Sequence, residues 1–400
     1  MAKRAAKQSA SPIRVLTAVP VCDGHDSAIN TVNLEFVRNG IEVIYLGYHR
    51  PVRDVVRAAI QEDVRAVGIS SYNGGHVEYF AQVVEGLRKA GAGDIAVFGG
   101  GGGTISSDDV KEMVKRGVDK IFPAGTPLSD LVAHVKSHYS AERKLGVLAK
   151  KLKPNSDRYL AKLASGELVV SSRAANSNGS RQPLTIGVTG PGGAGKTTLI
   201  DELVLRVLTS SPTARVAVLS HDPSIVSEGA LLGDRAAMIW SQDDRVFMHS
   251  LATRGREGGL SPQTEIALRA LRGLSFDVIF VETVGTGQEA TPFKQKLVDK
   301  SVFVMSPEYG SRLQLQKIAM LDLADLVVIN KSDLAGARTA ASEVEQRLEM
   351  NHKGQRVMTT VAKHHRDAGV DRLFAQLVGN DHHQDTKSRQ SGVPANSISS

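Results

Sequence analysis

The stretch Leu184-Thr-Ile-Gly-Val-Thr-Gly190-Pro-Gly192-Gly193-Ala194-Gly195-Lys196-Thr197-Thr198-Leu-Ile200 decides the reading of the second half of the chain. An apolar, β-rich run leads into G-x-x-x-x-G-K-[ST] with every fixed position matched, and an apolar helical pattern follows. Strand, glycine loop and helix in that order are the context that a phosphate-binding loop requires. The glycines let backbone N–H groups turn inward around phosphate oxygens, and the helix adds the positive end of its dipole. Lys196 would reach the β- and γ-phosphates, and Thr197 would bind Mg2+. A nucleotide is the expected ligand.

Working outward, apolar strand-like runs alternate with helix-period segments along most of the chain, which predicts parallel sheets covered on both faces. After the loop, strands fit residues 215–220, 246–250, 278–282, 300–305 and 326–330, with 185–189 before it. In the first third, strands fit 14–19, 42–46, 66–69, 95–98 and 120–122, with helices around 28–39, 52–62, 77–90, 108–115 and 128–140. Five strands alternating with five helices is the flavodoxin-like count, and ligands of such sheets sit at the carboxyl ends of the strands. The fold class is therefore α/β, with two doubly wound units: residues 12–140 and 184–379. Residues 141–183 read as a linker, with a basic helical piece at 142–152 and a Ser/Asn/Gly-rich run at 171–180, and 380–400 as a disordered polar tail. Such a linker predicts no rigid coupling between the two units.

Composition narrows the classes. At ~150 residues per domain, 400 residues predict two or three domains. Hydrophobic residues are 41% and charged residues 23%, which excludes a disordered or collagen-like chain. No run approaches ~18 uninterrupted apolar residues, so no membrane partner is expected. The basic start meets Ser9–Ser11 and Arg14 where a signal peptide would place its apolar stretch, and Cys22 is the only cysteine. A cytoplasmic protein without disulfides is expected. The 49 basic against 42 acidic side chains give +7, but aromatics are only 4% and do not interleave with the basic stretches. No nucleic-acid partner is expected.

The base and the metal have candidate residues of their own. Asn330-Lys331-Ser-Asp333 follows an apolar strand and fits N-K-x-D. A carboxylate at Asp333 can accept from both N1–H and the exocyclic amine of guanine, whereas adenine leaves it unpaired. GTP is therefore expected over ATP. Asp222 and Glu282 each end a strand and could hold Mg2+ directly or through water. Gly285 has the position of a glycine whose N–H senses a γ-phosphate, and Gln288 could orient the attacking water, with a solvated loop glutamine as the alternative.

These motifs, with Asp222-Pro-Ser, Leu232-Gly-Asp234-Arg235 and Glu282-Thr-Val-Gly285-Thr-Gly-Gln288, resemble the G-protein chaperones of adenosylcobalamin-dependent acyl-CoA mutases. The resemblance runs roughly from Leu184 to Leu377. It implies that Asp222 and Asp234 belong to a switch region that moves when Mg2+ and nucleotide bind, although the segment joining them is about one residue short of the family's. It also implies catalytic roles for Lys196, Glu282 and Gln288.

The first unit carries a second resemblance. Asp23-Gly-His25-Asp-Ser-Ala28 is similar to D-x-H-x-x-G of cobalamin-binding domains, with Ala28 in place of glycine. There the histidine displaces the dimethylbenzimidazole and ligates cobalt, and the aspartate bonds the other ring nitrogen. Ser70-Ser-Tyr72 ends the third strand where the family has S-x-L, and Gly99-Gly100 ends the fourth. The resemblance implies that Ser70 and the glycines border the displaced nucleotide tail. His76 is similarly placed to a histidine of fused isobutyryl-CoA mutases, with a helix-terminal role as the alternative. Corrinoid methyltransferase subunits share the domain, but a four-helix cap precedes it there, and 22 residues before Asp23 are too few.

Together the resemblances imply an adenosylcobalamin-binding, GTP-hydrolysing portion of an acyl-CoA mutase of the isobutyryl-CoA/n-butyryl-CoA type. Isomerase activity would need a (β/α)8 barrel of ~250 residues, for which 400 residues leave no room. The implied partners are that barrel, a cobalamin adenosyltransferase and a second copy in a homodimer. A stand-alone cobalamin-sensing GTPase switch is the alternative of different class.

Overall fold

The computed structural model describes residues 12–21, 23–24, 27–140, 152–168, 182–224, 228–285, 293, 296–309, 319–350 and 353–379. Among them, strands β1 (Arg14–Ala18), β2 (Glu42–Tyr45), β3 (Ala66–Ser70), β4 (Ala96–Gly100) and β5 (Lys120–Phe122) alternate with helices α1 (Ser27–Arg38), α2 (Val52–Gln61), α3 (His76–Lys89), α4 (Ser107–Lys115) and α5 (Leu128–Tyr139). All pairings are parallel, in the order β5-β4-β3-β1-β2, which is the flavodoxin-like order. β1 and β3 are buried along their whole length, as parallel strands covered on both faces must be. On one face Val15, Val43, Phe98 and Phe122 pack with Phe36 of α1 and Val135 of α5. On the other, Leu16, Ile44 and Ile69 pack with Val55 of α2 and Phe80 of α3. β4 runs through Gly99 and Gly100, two residues beyond the expected end, because the pairing Ile69↔Gly99 and Ser70↔Gly100 continues there.

The second sheet contains β6 (Leu184–Thr189), β7 (Val216–Asp222), β9 (Val246–Ala252), β10 (Val278–Glu282), β11 (Lys300–Met305), β12 (Leu326–Ile329) and β13 (Arg356–Thr359). Its order is β13-β12-β11-β6-β10-β7-β9, again all parallel. The short edge strand β13 was not among the expected strands. Helices α7 (Lys196–Ser210), α9 (Thr264–Arg272), α10 (Ala337–Glu349) and α11 (Ala368–Val378) cover it, numbered with α6 and α8 defined below.

Two features correct the reading of independent units. The first lies inside the expected linker. Residues Asp157–Ala164 form helix α6, capped by Ser156, whose hydroxyl accepts the Tyr159 N–H. Leu160, Ala161 and Ala164 join the core with Leu219, Phe247 and Leu268 of the second unit. Asp157 accepts from Gln61 of the first unit at 2.8 Å. Polar composition hid this helix because its charges are themselves paired: Lys162 is fully buried, 2.6 Å from Asp63 and 2.5 Å from Glu167. Residues 141–151 and 169–181 of that expected linker lie outside the described residues, as does the expected tail.

The second feature is strand β8 (Ala230–Leu232), which leaves the second sheet and adds to the free edge of β2. The register is Glu42↔Ala230, Val43↔Leu231 and Ile44↔Leu232. Gly229 makes the approach possible: its N–H donates to the Val37 carbonyl at 2.7 Å, and a Cβ there would sit 1.9 Å from the Ile41 oxygen. The single-turn helix α8 (Asp234–Ala237) follows. Its Arg235 is buried, donating to Glu62 at 3.0 Å and to the Met248 carbonyl at 2.9 Å. Glu62 also meets Arg14 at 3.0 Å, and Glu42 bridges Arg14 at 2.8 Å and Arg254 at 2.9 Å. Burial alone would raise the Glu62 carboxyl, but Arg235 and Arg14 hold it below the usual carboxylate range. The units are joined by a shared sheet and a buried ion network.

Lys162→Met removes the buried ammonium between Asp63 and Glu167. If α6 is part of the fold, it should lower the unfolding free energy in urea by about 3 kcal/mol, the low end for a broken buried pair, since Arg65 still reaches Glu167 and Ser165 still donates to Asp63. A loss under about 0.5 kcal/mol would place Lys162 on an ordinary surface.

Candidate functional site

The phosphate loop lies between β6 and α7, with Gly190, Gly193 and Gly195 all at positive φ. Lys196, the first residue of α7, is buried, and its Nζ donates to the Pro191 carbonyl at 3.3 Å. Burial pushes its ammonium pKa down, against the pull of Glu282, Asp234 and Asp222. Thr197 donates to Glu282 Oε1 at 2.8 Å and lies 3.5 Å from Asp234 Oδ1, while Thr198 is exposed. Asp222, at the end of β7, accepts the Gly233 N–H at 3.2 Å. The loop, both candidate switch aspartates and the β10 carboxylate therefore converge.

The electrostatics are those of three buried acids that share the single Lys196 ammonium. Burial, then repulsion from Asp234, pushes Asp222 up to about 8. Burial and the same neighbour push Glu282 up to about 8. Glu282 Oε2 is buried and has no hydrogen-bond partner. His221, just before Asp222, holds the β10 end in place: Nδ1 donates to the Glu282 carbonyl at 2.6 Å and Nε2 meets the Thr264 hydroxyl at 2.8 Å. Burial lowers that imidazole to about 4, so it is neutral near pH 7. Among the described residues, no three Asp, Glu, His or Cys side chains are grouped to ligate an ion by themselves. The donors present, a hydroxyl and carboxylates beside a phosphate loop, suit a hard cation that takes the rest of its shell from phosphate and water.

Gly285 lies against the loop. A Cβ there would be 2.6 Å from Gly192 Cα and 3.2 Å from Lys196 Nζ, so the approach needs glycine. Gln288 lies outside the described residues.

At the base end, Asn330 is buried and ties three segments together. Its amide donates to the Ala194 carbonyl at 2.9 Å, and its oxygen accepts from Thr360 Oγ1 and the Ala362 N–H, each at 3.0 Å. Lys331 takes a left-handed conformation, φ 58°. Asp333 pairs with Lys363 at 2.5 Å, and that hydrogen bond holds its carboxyl below the usual range. Thr360, Ala362 and Lys363 were missed by sequence reasoning. The available signal was Thr-Val-Ala-Lys directly after a short apolar-alternating run, which is weak alone.

The first unit has a cavity of about 170 Å³, open to solvent, between the ends of β1, β3 and β4 and helices α1 and α5. That is the point where strand order reverses. Ala28, Ser70, Tyr72, Gly99 and Gly100 line it, with Phe98 and Phe122 among its apolar walls. Thr17 also lines it, and its buried hydroxyl has no hydrogen-bond partner. Asp23 is buried, with Oδ2 accepting the N–H groups of Tyr72 and, at 3.1 Å, Asn73. The carboxylate thus pins the β3 loop to the β1 loop. His25 lies outside the described residues. His76 is not on the cavity wall: it is buried at the start of α3, with Nε2 3.3 Å from Asp109 of α4.

Among the described residues no helix is long and apolar enough to cross a membrane. Residues 13–132 match the B12 binding domain, and 173–394 match the methylmalonyl Co-A mutase-associated GTPase MeaB. The chain is 35% identical over 398 residues to the fused isobutyryl-CoA mutase of Geobacillus kaustophilus, covering 92% of this chain and 36% of that protein. It is 38% identical over 393 residues to the protein of the same description from Cupriavidus metallidurans, with the same coverages. A putative GTPase of Pyrococcus abyssi is 42% identical over 167 residues, 41% of this chain and 51% of that one. The chain spans little more than a third of the length of the two mutases. Through residues 173–394, more than half its length, the chain belongs to the methylmalonyl Co-A mutase-associated GTPase family MeaB, and ahead of that GTPase it carries a B12-binding domain.

Proposed function

We propose that this chain binds adenosylcobalamin in its first domain and hydrolyses GTP with Mg2+ in its second. The GTPase would act as chaperone for loading and protecting the cofactor of an acyl-CoA mutase of the isobutyryl-CoA/n-butyryl-CoA type. The observation that supports this most is the convergence of Thr197, Glu282 and Asp234 at the phosphate loop, in one sheet with the Asn330–Asp333 turn. An acyl-CoA-binding barrel is the proposed partner for isomerisation. A cobalamin adenosyltransferase as cofactor source and assembly as a homodimer complete the reading.

In hydrolysis, loop N–H groups and Lys196 hold the phosphates, and Asp333 holds guanine once Lys363 yields its place. Water adds to the γ-phosphorus as the bond to the β-phosphate oxygen breaks, giving GDP and phosphate. Gln288 would orient that water, and the Gly285 N–H would face the γ-phosphate. Thr197, Glu282 and Asp234, with Asp222 through water, would hold Mg2+, which supplies neutralisation of the charge developing on the phosphates.

The cavity of the first domain suits the nucleotide tail of cobalamin. Its walls are apolar, and Thr17 offers an unpaired hydroxyl within them. His25 would ligate cobalt, Asp23 would orient the loop that carries it, and Ser70, Tyr72, Ala28, Gly99 and Gly100 would enclose the tail. Adenosylcobalamin, when bound, supplies the radical chemistry of a carbon-skeleton rearrangement.

The purified chain should turn over GTP at least ~100-fold better than ATP. Asp333→Asn should erode that preference, while Lys196→Ala should lower turnover of both nucleotides. Equal turnover of ATP and GTP by the unaltered chain would overturn the base assignment.

Added cobalamin should show the absorption spectrum of the histidine-ligated form. Asp23→Asn should weaken binding by ~10–100-fold, and His25→Ala should leave water below cobalt. A complex with dimethylbenzimidazole still on cobalt would refute this ligation.

With Asp222 and Glu282 raised to about 8 by burial, protons would compete for the proposed Mg2+ site below that pH. A cation must displace them, so Mg2+ affinity should rise from pH 6 to about 8 and then level off. Calorimetry in buffers of different ionisation enthalpy should register proton release on Mg2+ binding at pH 7. Affinity that is flat over this range would contradict the electrostatics.

A further inference from the structure

The segment between Asp222 and Asp234 faces two ways. On the nucleotide side, the Gly233 N–H donates to Asp222, and Asp234 accepts from the Thr197 hydroxyl. Ser224 is tied to Thr253, Arg254 and Gly255 within the GTPase, and the further anchors lie in the B12-binding domain or reach it. Gly229 bonds Val37, residues 230–232 pair with β2, and the Ala236 carbonyl accepts from Arg50 at 3.0 Å. Arg235, next to Asp234 in the same helical turn, is clamped between Glu62 and Gln61 at the end of α2 and the Met248 carbonyl of β9.

We infer that Glu62 of the B12-binding domain is a positioning residue for the GTP site: it fixes Arg235, and through that turn holds Asp234 where it can meet Mg2+ beside Thr197. The inference rests on the proposed magnesium role of Asp234. The geometry that supports it is one of rigidity. The Asp234 side chain is short, and among the described residues its carboxylate accepts a hydrogen bond from Thr197 alone, so its place depends on the backbone of α8. That backbone has four residues, too few to hold itself. Its fixed point is the Arg235 side chain, which is 0% exposed, as is Glu62. Glu62 in turn cannot drift, because its carboxylate also accepts from Arg14 at 3.0 Å, the Ser250 N–H at 2.8 Å and Ser250 Oγ at 3.0 Å. A carboxylate of one domain thus sets a metal-site carboxylate of the other, and the nucleotide site is incomplete without the B12-binding domain.

The test uses the full chain, a fluorescent GDP analogue and MgCl2. Affinity for the nucleotide is measured in EDTA and across a Mg2+ titration, for the unaltered protein, Glu62→Gln, Glu62→Asp and Asp234→Asn. Glu62→Gln should raise the half-saturating Mg2+ concentration ~10-fold, the low end for residues that orient a metal ligand, and leave the affinity in EDTA unchanged. Glu62→Asp, which keeps the charge, should restore part of the loss. Adding Asp234→Asn to Glu62→Gln should shift Mg2+ little further, since the two act through one group. A residue with only a structural role would lower stability without moving the Mg2+ titration. If Glu62→Gln fails to fold, Arg50→Met releases the same turn at Ala236 from a less buried position and should shift Mg2+ in the same direction. Unchanged Mg2+ dependence in a folded Glu62→Gln or Arg50→Met protein, alongside a shift in Asp234→Asn, overturns the inference alone. No shift in Asp234→Asn overturns the magnesium role itself.

Discussion

A carboxylate without solvent contact must be satisfied by its neighbours, and Glu62 draws its neighbours from both halves of the chain. Arg14 comes from the first strand of the B12-binding domain, and Arg235 and Ser250 come from the GTPase. Taking such a charge out of water costs several kcal/mol, and removing one partner leaves it uncompensated. The domains therefore cannot part at this point without exposing or stranding charge. Glu42, which meets Arg14 and Arg254, repeats the arrangement one strand away. The joint specifies one relative placement of the sheets, where an apolar interface alone would tolerate sliding.

The same constraint explains why β8 can be so short. Three residues of parallel pairing are weak by themselves, and an unpaired edge at β2 would be open to other chains. Gly229 at one end and Arg235 at the other pin the strand, so it closes the edge of the first sheet at little length. Asp222 and Asp234 stand at the two ends of the segment that carries this strand. If those carboxylates take up Mg2+ as proposed, a movement there would reach the β2 edge, and β2 lies next to β1, whose loop carries Asp23. A path of bonded elements thus joins the two sites.

Much of both units was legible in the sequence, for local reasons. The phosphate loop, its strand and its helix are contiguous, and strands buried on both faces read as unbroken apolar runs, as at Val278–Glu282. Asp23, Ser70 and Gly99 stand at three successive strand ends, and the structure gathers them because parallel sheets align carboxyl ends. What escaped was non-local. Ala230-Leu-Leu232 carries no sign that its partner is β2, some 190 residues upstream. Helix α6 lies between Pro154-Asn-Ser and a Ser/Asn/Gly-rich run, whose composition reads as linker, whereas its Arg158 and Lys162 are paired within the fold. Lys363 lies 30 residues beyond Asp333, and only the pairing of β12 with β13 brings them together.

The account stands on β8 being part of the first sheet. Backbone hydrogen exchange measures this directly, through the amides of residues 230–232 in nucleotide-free protein. A strand paired with β2 and locked by Arg235 should exchange slowly, with protection matching that of residues 42–45. Exchange of 230–232 at the rate of an open loop, while 42–45 stay protected, would show that the segment from Asp222 to Asp234 is not held by the B12-binding domain and that the two sites share no element.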